Sequence, residues 1–200
     1  MSKYTYIDAE ITGERPFLMM AFDVMLLINA KPTAKRDSME HQVPRDMAQK
    51  HLYKEEGTKK LYFPTTGHAR LLREAGSSIK LKGERKAVKY KVPAAVLMEE
   101  DVAYFRNPND KSFILDPNWE VDLRSGVNQK LQVRIPICRP RIDAWCMQFR
   151  LRINHEVLSE DIVHKLLQDG GEQIGLGSFR PEKGGTFGLF RVTSWQEAKK

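Results

Sequence analysis

Polar and apolar residues alternate along residues 4–11, and this period of two in a segment rich in Tyr, Thr and Ile predicts a β-strand. Gly13 and Pro16 end it. The run 17–22 is apolar, heavy in Met and Phe, and reads as core packing. Residues 29–43 are polar between Pro32 and Pro44 and read as a loop, 45–53 as a short helix, and 61–63 as a short strand ending at Pro64. Thr65 or Thr66 can cap a helix over 67–75, with Leu71, Leu72 and Ala75 facing inward and Gly76 closing it. Residues 92–98 suit a strand. Residues 119–123 alternate again until Gly126, and 131–137 repeat the pattern, whereas Pro140 argues against a regular central ladder. The clearest alternation is 146–153. It puts Cys146, Gln148, Arg150 and Arg152 on one face and Met147, Phe149, Leu151 and Ile153 on the other, so one face is core and the other is free for a ligand. Ser159, followed by two acids and helical apolar spacing, starts a helix over 159–167 that Gly170-Gly171 is expected to end. A last strand covers 189–195.

Between that helix and that strand lies Ile174-Gly175-Leu176-Gly177-Ser178-Phe179-Arg180-Pro181-Glu182-Lys183-Gly184-Gly185-Thr186-Phe187-Gly188, a loop with five glycines, Arg180 and Lys183. Glycine lets a backbone turn tightly and approach a ligand, and basic side chains beside open amides suit phosphate. The loop does not fit the dinucleotide fingerprint, because Arg180 stands where a third glycine is needed, nor the P-loop, because Lys183 precedes glycine. A formal net charge of +7 favours a polyanionic partner. The densest basic stretch, Lys80, Lys82, Arg85, Lys86, Lys89 and Lys91 with Tyr90 among them, reads as an arm that tracks phosphates. Two cysteines, Cys138 and Cys146, read as reduced core residues without zinc spacing. No apolar run is long enough to cross a membrane and the first residues lack the features of a signal peptide, so a cytoplasmic location and no membrane partner are expected.

The order strand, helix, strands, helix, glycine loop, strand predicts an α+β protein with a ferredoxin-like (RRM-like) antiparallel sheet and two helices. It forms one unit over 1–200, with a basic, β-rich arm inserted at about 76–130. Here the chain resembles the RAMP superfamily, RNA-binding subunits of CRISPR effector complexes, and within it small RAMP-like proteins of phages and prophages. The segments that carry the resemblance are Gly13-Glu14-Arg15-Pro16-Phe17-Leu18-Met19, Arg139-Pro140-Arg141-Ile142-Asp143-Ala144-Trp145 and the glycine loop from Gly175 to Gly188. The resemblance implies single-stranded nucleic-acid binding and head-to-tail self-association along the strand, with CRISPR-type or phage proteins as further partners.

The expected binding residues are Gly175, Gly177, Arg180, Lys183, Gly184 and Gly185 of the loop, Arg139, Arg141, Arg150 and Arg152 along the sheet, and Lys80, Lys82, Arg85, Lys86 and Lys89 closing over the strand. Phe179, Tyr90 and Trp145 are expected to stack on bases. RNA is placed ahead of DNA, and no cofactor or metal is expected. Of the five histidines, His41, His51, His68, His155 and His164, His68 at the start of the first helix lies near the place where a general acid or base of the family's nuclease members could sit, and His164 reads as structural. Asp101, Asp110 and Asp116 carry no distinguishing pattern. A RAMP-type endoribonuclease and a phage module acting on a host CRISPR complex are the alternatives to non-catalytic binding.

Overall fold

The computed structural model describes residues 2–21, 43–128 and 132–199; the expected loop at 29–43 lies largely outside them, and His41 wholly so. Strand β1 (Tyr4–Gly13) organises the main sheet. It pairs antiparallel with β8 (Cys146–Asn154) on one side and β9 (Phe190–Ala198) on the other. Two short strands share the far edge of β8: β4 (Val96–Met98) opposite 151–153, and β5 (Val102–Arg106) opposite 146–147. A further short strand, β3 (Tyr62–Pro64), pairs with β5. Among the described residues these six strands form one sheet in the order β3-β5-β8-β1-β9, with β4 beside β8.

The alternation read from 4–11 and 146–153 is the alternation observed. Ile7, Ala9, Ile11, Met147, Phe149, Leu151 and Ile153 are buried on one face. Against that face pack α2 (Thr66–Ala75), which buries Leu71, Leu72 and Ala75, and α4 (Glu160–Gln173), which buries Val163, Leu166 and Leu167. Each such aliphatic residue removed from water contributes about 1.5–3 kcal/mol. Helix α4 does not stop at Gly170-Gly171. These glycines lie inside it because a Cβ at Gly170 would collide with Leu71, and one at Gly171 would lie 2.5 Å from the Phe190 carbonyl oxygen. They are where the helix touches α2 and β9, so the expected stop is a packing site.

The other α-helices among the described residues are short: α1 (Pro44–Gln49) and the single turn α3 (Val92–Ala95), which replaces the first half of the strand expected over 92–98. A second sheet holds β2 (Phe17–Leu18), β7 (Val133–Ile142) and β6 (Glu120–Asn128) in the order β2-β7-β6. Neither Gly126 nor Pro140 interrupts it. Gly126 leaves room for the Ile137 side chain opposite-diagonal to it. Pro140 keeps its pairing with Val121, and its carbonyl accepts the Met19 amide on the β2 side. Its missing N–H also falls on that side, where β2 has just two residues to pair, so the ladder to β6 loses nothing. Within the stretch 76–130, β4 and β5 join the main sheet, and β6 joins the second sheet by pairing with β7. No helix among the described residues is long and apolar enough to cross a membrane.

Candidate nucleic-acid interface

The glycine loop is packed on itself and on the second sheet. Its amides are largely spent: Gly175 donates to the Gly170 carbonyl, Leu176 to Gly188, Ser178 to Leu18, Gly184 to Pro181, Gly185 to Arg180, Phe187 to Phe179 and Gly188 to Pro16. The close-packed glycines serve the same closure. At Gly177, φ is +77° and a Cβ would lie 2.6 Å from the Leu18 carbonyl oxygen; at Gly185 and Gly188 it would collide with the backbone of Phe179 and Leu176. Gly175, Gly177 and Gly185 thus hold the loop together, which corrects their expected role as a phosphate cradle. Gly184, with φ +74° and open space around it, is the turn at the tip.

What the loop presents is side chains, on two sides. Toward the β6–β7 hairpin it shows the partly exposed Phe179, backed by Phe187, which is 7% exposed; their ring centroids are 6.1 Å apart. Arg124 of β6 lies over both, 4.8 Å from the Phe187 ring and 5.5 Å from the Phe179 ring, and Arg139 of β7 lies 5.9 Å from Phe179. The hairpin register explains the pairing of these arginines: Asp122 faces Arg139 and Arg124 faces Ile137, so all project from one face. Asp122, nearly buried, takes the Arg124 Nε on both carboxylate oxygens at 2.9 Å. Burial pulls the Arg139 guanidinium down, Asp122 opposes that shift and Arg124 adds to it; its buried Nε lacks a hydrogen-bond partner. Phe179 itself has φ +51°, a left-handed conformation that costs a β-carbon-bearing residue roughly 1–2 kcal/mol. Such strain concentrates at ligand sites.

Toward helix α2 the loop shows Arg180, Glu182 and Lys183. Arg180 is 13% exposed; it donates from Nη1 to the Gly177 carbonyl at 2.8 Å and from Nη2 to Glu182 at 2.6 Å. Arg70 of α2 reaches the same carboxylate at 2.9 Å, and the exposed Lys183 comes within 3.5 Å. Burial pushes the Glu182 carboxyl up, but Arg180, Arg70 and Lys183 outweigh it and hold the group below the usual range. On the two sides of the loop, five cations (Arg70, Arg124, Arg139, Arg180, Lys183) face two carboxylates (Asp122, Glu182).

Several expected residues stand elsewhere. Trp145 is 0% exposed: its indole donates to the Arg15 carbonyl at 2.9 Å and its ring packs on Phe17 and Phe105, so it cannot stack on a base. Arg150 and Arg152 do project from the uncovered sheet face, but Arg150 forms a two-point pair with Asp8 and Arg152 pairs with Glu99. Glu10, Glu100 and Lys111 stand on that face too, with Arg106 and Arg191 in register with Cys146 and Thr12, so the two expected arginines there are already paired with carboxylates. Arg141 pairs with Asp143 and lines a different cavity, beside Arg45 and Trp119. The basic stretch follows the C-terminal end of α2, tied by the Lys89 amide to the Gly76 carbonyl, while the loop lies against Gly67 and Arg70 near the other end. A ten-residue helix is about 15 Å long, so Lys80, Lys82, Arg85, Lys86 and Lys89 form a separate basic patch. Tyr90 there is 65% exposed.

His68 is 0% exposed, against the Phe149 ring at 4.5 Å and the Phe63 ring at 5.7 Å, and neither ring nitrogen has a hydrogen-bond partner. Burial lowers its pKa to about 4, which the nearby Pro64 carbonyl offsets only in part. A histidine so enclosed has no access to a scissile bond, which corrects its candidacy as a general acid or base. Arg70, Arg124, Glu182 and Phe187 were not singled out by sequence. Pairing 119–125 with 133–139 as a hairpin would have placed Arg124 beside Arg139; nothing local marks Arg70.

No family model matches the sequence, and no curated protein matches it. Among solved structures, a chain in the cryo-EM structure of type III-B Cmr-beta bound to cognate target RNA superposes with a TM-score of 0.53 at 15% identity, covering 98% of this chain and 61% of the other. Cmr6 from Pyrococcus furiosus superposes with a TM-score of 0.47 at 11% identity, covering 96% and 99%. The chain thus spans about three fifths of the length of the Cmr-beta chain it matches. That likeness is one of fold, and at that level it bears out the RAMP-like resemblance.

Proposed function

We propose that the chain binds single-stranded nucleic acid, RNA ahead of DNA, and does not cleave it. The observation that carries this reading is the slot between hairpin and loop, where Arg124 and Arg139 lie against Phe179 and Phe187. The partly exposed Phe179 ring accepts a base by stacking, worth about 1–3 kcal/mol, with the buried Phe187 behind it, and the guanidinium edges accept phosphates. The strand path then crosses the loop from the slot to Arg180 and Lys183. The basic patch with Tyr90 is a second contact for a strand long enough to reach it. The antiparallel order β9-β1-β8 followed by β4 and β5, with a helix in each crossover, supports the ferredoxin-like reading of the core. The RNA in the Cmr-beta structure is the reason to put RNA first. His68, walled in by aromatics, weighs against the nuclease alternative.

On the same reading the chain is a cytoplasmic subunit that assembles in copies along its strand, in a CRISPR-type complex of bacterial or phage origin. Leu123 and Val127, more than half exposed on the hairpin face away from the slot, give such copies an apolar contact.

The test is an anisotropy titration of labelled single-stranded RNA, single-stranded DNA and duplex DNA across a salt series. Wild type is expected to prefer the single strands, with affinity falling steeply as salt rises. Arg124→Ala and Phe179→Ala are each expected to weaken RNA binding about 5–20-fold, in line with a stacking contact of about 1–2 kcal/mol. Only the arginine variant should flatten the salt slope, by about 0.7 for one phosphate contact on a single strand. Equal binding to all three nucleic acids with no loss in either variant refutes the slot. Cleaved RNA on a gel refutes the non-catalytic reading.

A further inference from the structure

Beside the loop, on the side away from the slot, is a cleft of about 310 Å³. Its walls include Phe63 and Gly67 at the start of α2, Ser178 of the loop, and the Arg70, Arg180 and Glu182 side chains. That volume is at the lower end for a ligand site, where ~300 Å³ is the usual minimum, and it suits one nucleotide unit. Phe63 gives it an aromatic wall, and Gly67 has no side chain because a Cβ there would collide with that ring.

Glu182 occupies the position in this cleft that an anionic ligand would take. Arg70 gives it Nη2 at 2.9 Å and 3.3 Å from its two oxygens, Arg180 gives it Nε at 3.0 Å and Nη2 at 2.6 Å, and Lys183 stands 3.5 Å away. Two guanidiniums converging on one oxyanion is the arrangement that recognises phosphate. Three cations surround Glu182 itself, and Glu74, the other carboxylate of the cleft, is paired with Arg73, so Glu182 alone does not neutralise the position. The parts also differ in freedom. Arg180 is anchored by the Gly177 carbonyl. Arg70 is 47% exposed, so its pair with Glu182 is weak and open to competition. Glu182 rides on the single 3₁₀ turn Pro181–Lys183, directly before Gly184, where the surroundings are open.

We propose that this cleft seats one nucleotide of the bound strand, with its phosphate between Arg70 and Arg180, and that Glu182 is a built-in competitor that must leave that position first. The proposal rests on the single-strand reading and adds a site and its restraint. Glu182 keeps the loop cations paired in the free protein, and a phosphate wins only where the rest of the nucleotide also finds contacts. Unspecific anions are thereby disfavoured.

The test compares wild type with the near-isosteric Glu182→Gln at low salt. The probes are a labelled ten-nucleotide RNA without a terminal phosphate, and AMP. Glu182→Gln is expected to tighten RNA binding at least fivefold and to steepen its salt slope, because three cations now carry counterions that the strand releases. Adding Arg70→Gln to that variant is expected to remove the gain; a gain that survives places the effect outside the cleft and overturns the proposal. If wild type binds RNA and Glu182→Gln binds equally or more weakly, the carboxylate is no competitor, and strand binding stands without it. If Glu182→Gln gains for AMP and not for RNA, the seat takes free nucleotides and the strand reading of the cleft falls. If neither protein binds either probe, the proposal and the single-strand reading fall together.

Discussion

A neutral imidazole enclosed by Phe63 and Phe149 is a pH-dependent weakness of this protein. His68 titrates near its ordinary value of about 6.5 in the unfolded chain and at about 4 in the folded one. Between those values the unfolded state binds the extra proton, so stability is complete above about pH 6.5 and falls as pH drops toward 4. The expected loss is about 3 kcal/mol, from about 1.4 kcal/mol per pKa unit. Urea unfolding at pH 7 and pH 4.5 measures it, and His68→Leu should remove most of the difference. At this scale the sequence was misleading where chemistry and packing use the same residue types. Arg180 read as a free cation, and it is anchored on the Gly177 carbonyl and already paired with Glu182. Trp145 read as a stacking ring, and it fills the space beside Gly13, where a Cβ would strike the indole. Residue type gives the capacity for an interaction; which neighbour takes it up depends on tertiary contacts that a single sequence does not contain.

Secondary-structure elements were more legible, because a strand's period of two or a helix's cap is a local property. Strands β1 and β8 and helix α2 fall within one or two residues of their expected bounds. The failures are at glycine and proline, whose local meaning as breakers is overridden when another element needs the space. Helix α4 is the instructive case. Ala would ordinarily be favoured over Gly inside a helix by about 1 kcal/mol. At Gly171 the Phe190 carbonyl is in the way, and a backbone atom cannot rotate aside. Gly171→Ala is therefore expected to destabilise by about 1–3 kcal/mol, the usual range for overpacking, as a lower denaturation midpoint with unchanged slope. Gly184→Ala has space but keeps the left-handed turn, so its cost should be nearer 1 kcal/mol. If Gly171→Ala stabilises the protein, the account of α4 as a contact helix is wrong.

Across the whole molecule the net charge of +7 is unevenly spread, and composition could not say where it lay. The hairpin and loop gather an excess of cations, whereas the uncovered sheet face pairs Arg150 with Asp8 and Arg152 with Glu99. Asp8 is held below the usual carboxylate range, first by its hydrogen bond from Arg150. Arg150→Ala is thus expected to change RNA affinity less than twofold while Arg124→Ala changes it severalfold. The reverse result would return the strand to the open sheet. In light scattering, copies should gather on a long RNA, and Leu123→Asp should leave them separate.

The place of β1 between β8 and β9 has a consequence for the making of the protein. The strand leaves the ribosome well before its partners, which begin at Cys146 and Phe190. At about 5–20 residues per second the last of them follows roughly 10–40 s later. Until then the alternating face of β1 has no core to enter, and both its edges are open to pairing with other nascent chains. A release of the chain before Phe190 would leave one edge of β1 permanently bare. Yield in the cell should therefore depend on chaperone supply and translation rate more than the stability of the finished fold would imply.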